Sequence, residues 1–176
     1  TGYEGDIDYC YSVTNIEYTA FLGCSSLSSV IIGDHVESIG NRAFEKCSSL
    51  TSVIIPNSVA TIGSEAFMNC GNVTTITIGS GIKSLGYLAF NTYKLTDVYC
   101  LAENLPTDNG AFTYSGIGNA TLHVPAGSID AYTAATPWSG FKEVVAIESK
   151  TTINVETAGT LSTLIPETEN PTSETG

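Results

Sequence analysis

The sequence predicts a solenoid, a spiral of stacked coils with parallel β-strands, and three observations predict it. Self-comparison shows a period of 23 residues, in which Ala20-Phe21 recurs as Ala43-Phe44, Ala66-Phe67 and Ala89-Phe90. Apolar positions recur inside that unit at fixed phase: Leu27, Leu50 and Val73; Val30, Val53 and Ile76; Ile32, Ile55 and Ile78; Ile39, Ile62 and Leu85. Each unit also carries one β-branched run, such as Leu50-Thr51-Ser52-Val53-Ile54-Ile55, bounded by Gly or Pro. A unit this short cannot bury its apolar side alone, so neighbouring units must stack, about five of them here.

The elements follow in order. Residues 1–19 form an imperfect first coil, because Ile7, Tyr9, Val13 and Ile16 fall on the strand and second-segment phases. Residues 20–119 hold the regular repeats. Strand side chains alternate, so positions 30/53/76/98/122 and 32/55/78/100/124 face inward, and Gly33, Pro56, Gly79 and Pro125 end the strands. A second extended stretch, such as Val59 to Ile62, carries apolar residues three apart and closes at Gly. Asn41 or Ser64 then caps a short helical turn holding Ala-Phe-x-x-Cys, with Phe plugging the interior. After Ala89 the phase slips by one, Tyr93 stands where Cys is expected, and Ala111-Phe112 follows after 22 residues. Residues 120–148 read as a capping segment: a last strand to Pro125, a short helix near Ser128–Ala134, then Trp138 and Phe141. Residues 149–176 read as a linker or as the start of a truncated further module. From Thr151 onward they carry four Glu, no Lys or Arg and no aromatic residue.

Composition narrows the partners. Eighteen acidic against 6 basic side chains give a formal charge of −12, so neither nucleic acid nor an anionic membrane surface is an expected ligand. No run of 18 apolar residues is present to span a bilayer. The carboxylates are dispersed, with Asp6 and Asp8 the only close Asp pair, so neither a calcium loop nor any other metal site is expected. Gly79-Ser-Gly81 and Gly116-Ile-Gly118 lack the strand–helix setting of a phosphate cradle, and no cofactor is expected.

Chemistry-bearing residues are few. Cys24, Cys47 and Cys70 share one phase and should stand in a row one coil apart. The row reads as a buried column of thiols, and a disulfide between neighbours is the alternative. Cys100 falls on an inward strand phase, while Cys10 has no clear place. The outward strand positions are Ile31, Ile54, Thr77, Asp97, Tyr99, Thr121 and His123, together with small hydroxyls at Ser29, Ser52 and Thr75. Asp97, Tyr99, Thr121 and His123 should lie together on the outward face of the last two strands. They form a candidate binding surface, since catalysis of acyl transfer would also require a nucleophile within reach. An ordinary solvated strand face is the plainer reading of the same residues.

The phrases "AFEKCSSLTSVIIPNSVATIGSEAF" and "ATLHVPAGSIDAYTAATPWSGFKEVVAIE" resemble the BspA-like leucine-rich repeat family of bacterial surface proteins, over roughly residues 6–148. The slip near Tyr93 and the short array depart from its pattern. The resemblance implies a right-handed leucine-rich solenoid, export to the cell surface, and adhesion or ligand binding rather than catalysis. The partner would be a protein or a glycan, met on the β-face. A structural spacer within a larger surface protein is the second reading, and a hydrolase using the Asp97/His123 region the third.

Overall fold

A computed structural model describes residues 13–147 of the chain. Expectations for Ile7, Tyr9, Cys10, the Asp6/Asp8 pair and the 149–176 segment lie outside the described residues. In chain order the strands are β1 (Asn15–Ile16), β2 (Ser38–Ile39), β3 (Ser52–Ile55), β4 (Thr61–Ile62), β5 (Thr75–Ile78), β6 (Ser84–Leu85), β7 (Asp97–Cys100), β8 (Thr107–Asp108), β9 (Thr121–Val124) and β10 (Glu143–Ala146). They form two parallel five-stranded sheets, a short-stranded one ordered β1-β2-β4-β6-β8 and a main one ordered β10-β9-β7-β5-β3. Each regular coil gives one strand to each sheet, which is the solenoid that the 23-residue period predicts.

The core is a set of columns. Val53, Ile76, Val98 and Leu122 are aligned by strand register and are buried, as are Ile55, Ile78 and Cys100 beside them. Phe21, Phe44, Phe67, Phe90 and Phe112 stack ring on ring at 5.0, 5.0, 5.6 and 5.4 Å between centroids. Such offset pairs contribute about 0.5–1.5 kcal/mol each beyond the area they bury. The C-terminal end of the column is closed by Trp138 and Phe141, which meet Phe112 edge-on at 5.5 Å. Helix α1 (Ile129–Ala134) brings Tyr132 underneath, where its hydroxyl donates to the Ala102 carbonyl at 2.9 Å and lies 3.2 Å from the Cys100 sulphur. At the other end Phe21 is 40% exposed, since among the described residues it has a coil on one side only.

Four local expectations are corrected. The Ala-Phe-x-x-Cys segment is a pair of turns rather than a helical turn. Positive φ recurs just before it, at Thr19, Arg42, Glu65 and Leu88, and again inside it, at Gly23, Lys46 and Asn69. That geometry aims alternate amides along the stack. Arg42, Phe44 and Lys46 donate to the carbonyls of Ser64, Ala66 and Met68 in the next coil, at 2.9, 2.8 and 2.8 Å. The turns therefore form a third inter-coil ladder, and its bonds hold non-glycine residues in a conformation that costs about 1–2 kcal/mol each. Ser29–Ile32 is not a strand, although it repeats the residues of β3. The fifth strand of the main sheet is instead β10, which pairs with β9 after the cap. Finally, the one-residue slip places Thr92, not Tyr93, at the Cys phase: Thr92 is fully buried and Tyr93 is 60% exposed.

Glycine is required where coils touch. A Cβ on Gly79 would stand 2.5 Å from the Pro56 carbonyl carbon, and one on Gly63 would stand 2.5 Å from the Asn41 amide nitrogen. Among the described residues nothing lies within 4 Å of the corresponding point on Gly33.

Candidate functional site

The main sheet turns its outward side chains into two columns fixed by register. One runs Ser52, Thr75, Asp97, Thr121, Glu143; the other runs Ile54, Thr77, Tyr99, His123, Val145. Four of the predicted residues meet here. Asp97 and Thr121 are cross-strand partners, as are Tyr99 and His123. His123 reaches diagonally, with Nε2 2.9 Å from Asp97 Oδ1, and its ring stacks on Tyr99 at 4.2 Å between centroids and 10° between planes. Strand alternation alone produces this cluster, because positions two apart share a face and parallel neighbours lie about 4.8 Å away.

The remaining predicted residues are placed differently. Ile54 stands on β3 and is 47% exposed; Ile31, 64% exposed, lies on the segment before it and outside the sheet. Thr77 takes its outward register position but is only 6% exposed between Ile54 and Tyr99, so it offers a ligand little surface. The cluster also lies on β7 and β9, which are not the last two strands. β10 extends the face by Glu143 and Val145, and Thr121 Oγ1 donates to Glu143 Oε1 at 3.1 Å. Sequence reasoning passed over Glu143, although Glu143-Val144-Val145-Ala146 alternates like the earlier strands and starts 22 residues after Thr121.

Electrostatics shape what the face can do. Burial pushes the Tyr99 hydroxyl above its ordinary range, and the Asp97 carboxylate adds to the effect. Tyr99 is thus a protonated donor at neutral pH. His123 is engaged by a carboxylate at one edge and by an aromatic ring on one face, and among the described residues it hydrogen-bonds to no serine or cysteine. The arrangement presents a flat aromatic pair, a carboxylate and hydroxyls beside an exposed isoleucine. Those groups suit recognition by stacking and hydrogen bonding. A nucleophile–base pair is not assembled there.

Elsewhere, an open groove of about 610 Å³ runs beside the short-stranded sheet, with Asp34, His35, Glu37 and Lys83 among its lining residues, and shares none with the His123 cluster. Glu45 is nearly buried. Burial alone would raise its carboxyl, but hydrogen bonds from Arg42 and Lys46 outweigh that and hold it below the usual range, so it serves the packing of the turns. Cys47, Cys70 and Cys100 are buried free thiols, and Cys24 is free and exposed. The column has a hydrogen-bonding logic as well as a packing one: Cys47 and Cys70 donate to the Phe21 and Phe44 carbonyls at 3.2 Å, and Ser115 does the same to Phe90 at 2.6 Å. Thr92, at the equivalent position, leaves its hydroxyl without a partner. Among the described residues no three His, Cys, Asp or Glu side chains converge to hold a metal ion, and no helix is long and apolar enough to cross a membrane.

Comparison with known proteins bears on the fold. No curated protein matches the chain. A solved structure, that of a leucine-rich repeat protein from Bacteroides ovatus ATCC 8483, is 22% identical; the match covers 77% of this chain and 44% of that one, with a TM-score of 0.48. The chain thus spans under half the length of that protein. The family model for the BspA type leucine rich repeat region matches residues 6–133 in 6 copies. With that match over most of its length, and with its coils stacked as the repeat requires, the chain belongs to the BspA-type leucine-rich repeat family.

Proposed function

We propose that this solenoid is an extracellular, cell-surface binding module that recognises a protein or glycan on its outward main-sheet face, without catalysis. Membership of a repeat family supports an interaction or repeat module. The observation that carries the finer reading is the continuity of one face, from exposed Ile54 past Tyr99 and His123 to Val145, with Asp97, Thr121 and Glu143 alongside. Apolar surface rimmed by hydrogen-bonding groups favours contact with another molecule over bare solvation. A formal charge of −12 steers the choice toward neutral or basic ligands.

A spacer within a longer surface protein is the second reading, favoured by the unbroken phenylalanine column, whose rings follow one another at 5.0 to 5.6 Å. One experiment separates the two. Binding of the chain to arrayed glycans and to immobilised extracellular proteins is measured alongside a variant carrying Ile31→Ser, Ile54→Ser, Tyr99→Ala and His123→Ala. A binding face loses at least about tenfold in affinity, which is about 1.4 kcal/mol. If the wild type binds nothing on either surface, or the variant binds as well as the wild type, the outward-face reading is wrong and the spacer stands.

A further inference from the structure

The cysteine column takes no part in the outward face, and its two ends differ. Cys47 and Cys70 are fully buried, while Cys24, at the N-terminal end, is exposed. The Phe21 and Phe44 rings are related by 5.0 Å and 5°, and each cysteine follows its phenylalanine by three residues in the same turn. The Cα atoms of Cys24 and Cys47 therefore stand about 5 Å apart, within the roughly 4.4–6.8 Å that a disulfide accepts. Closer contacts agree. The Cys47 thiol and the Cys24 amide both donate to the Phe21 carbonyl at 3.2 Å. Cys24 is exposed, so its side chain has room to turn toward the Cys47 sulphur.

We propose that Cys24 and Cys47 are a site of oxidative modification, in which a small-molecule disulfide oxidises the pair to an intramolecular disulfide. The Cys24 thiolate attacks the small disulfide, forming a mixed disulfide and releasing one thiolate. Cys47 then gives up its proton, attacks the Cys24 sulphur and expels the second thiolate. Two protein thiols lose two electrons and two protons, and the small disulfide becomes two thiols. Access makes the chemistry selective, because an oxidant meets Cys24 first and reaches neither Cys47 nor Cys70 directly. Burial keeps the Cys70 thiol protonated and out of the exchange, pushed up to about 12. The product ties the coil of Cys24 to the coil of Cys47 beside Ser29–Ile32, the segment that leaves β3 without a second strand partner among the described residues.

The test treats the whole chain with oxidised glutathione at pH 8 and maps thiols by mass spectrometry. A Cys24–Cys47 linked peptide is expected, preceded by a transient Cys24–glutathione adduct and reversed by dithiothreitol. Cys47→Ser should trap that adduct, and serine is already accommodated at the same column position as Ser115. Cys24→Ser should give neither product, and Cys10→Ser should still give the linkage. Cleavage by a protease between residues 24 and 47 should slow by about tenfold in the linked form, as the closed loop restrains opening. A stable glutathione adduct on the wild type, a Cys10–Cys24 or Cys47–Cys70 linkage, or no reaction at Cys24 would each overturn the proposal. The time course on the wild type decides the matter even where a variant folds poorly.

Discussion

Ser29-Val30-Ile31-Ile32 and Ser52-Val53-Ile54-Ile55 are the same four residues one period apart, yet only the second is a strand. Local propensity is equal, so the difference comes from the neighbours. Leu50 and Val53 are buried against a coil on each side, whereas Leu27 and Val30, at the same phases, are only partly buried at the end of the described stack. In a one-dimensional array each unit is stabilised by its two interfaces, and an end unit has only one. Strand formation here is a property of the stack, decided by whether the inward side chains find apolar partners.

The largest test of that view compares rings. Phe67 stacks between neighbours at 5.0 and 5.6 Å and is fully buried, while Phe21 has one stacked neighbour among the described residues and is 40% exposed. Phe67→Ala should cost about 3–5 kcal/mol in denaturant unfolding, and Phe21→Ala roughly half of that. Equal costs would mean that the first coil is packed as tightly as the interior, and the explanation for Ser29–Ile32 would fail.

Much of this architecture was legible because a column in space is a phase in sequence. The inward positions, the phenylalanine stack and the meeting of Asp97 with His123 all follow from period plus strand alternation. The turns were not legible. Arg42, Lys46 and Glu65 carry no mark of left-handed backbone, which is held there by bonds to the next coil and not by residue preference. Nor could sequence say which residue the slip removes, since Thr92 and Tyr93 are both plausible plugs and only burial separates them. β10 escaped because the capping segment interrupts the repeat between β9 and its partner, breaking the phase that revealed the other strands.

A smaller effect sharpens the same comparison through the residue that follows each strand phase. Gly79 sits against the Pro56 backbone, while Gly33, which follows Ser29–Ile32, has no neighbour within 4 Å of its Cβ point among the described residues. Gly79→Ala should destabilise by about 1–3 kcal/mol, as overpacking forces two coils apart. Gly33→Ala should be neutral or stabilise by up to about 1 kcal/mol, because alanine has less freedom to lose on folding. Thermal unfolding of the two variants reads the difference directly. A large penalty at Gly33 would show that its backbone is as crowded as that of Gly79.

The smallest effect is confined to alkaline solution and tests the interior of the cysteine column. Burial raises the Cys70 thiol from 9.0 to about 12, with the nearby Cys47 sulphur adding to the shift. The folded state therefore resists losing this proton while the unfolded chain gives it up readily. Stability from the thiol is fully present below pH 9 and is lost as pH climbs toward 12. Integrating the linkage relation gives a loss of about 1.4 kcal/mol at pH 10 from this one group. Cys70→Ser keeps a donor for the Phe44 carbonyl and cannot ionise in that range, so the gap between wild type and variant should shrink or reverse by that amount between pH 8 and pH 10. If the variant tracks the wild type with pH, the Cys70 thiol is open to water and the column is not the sealed interior that its phase predicts.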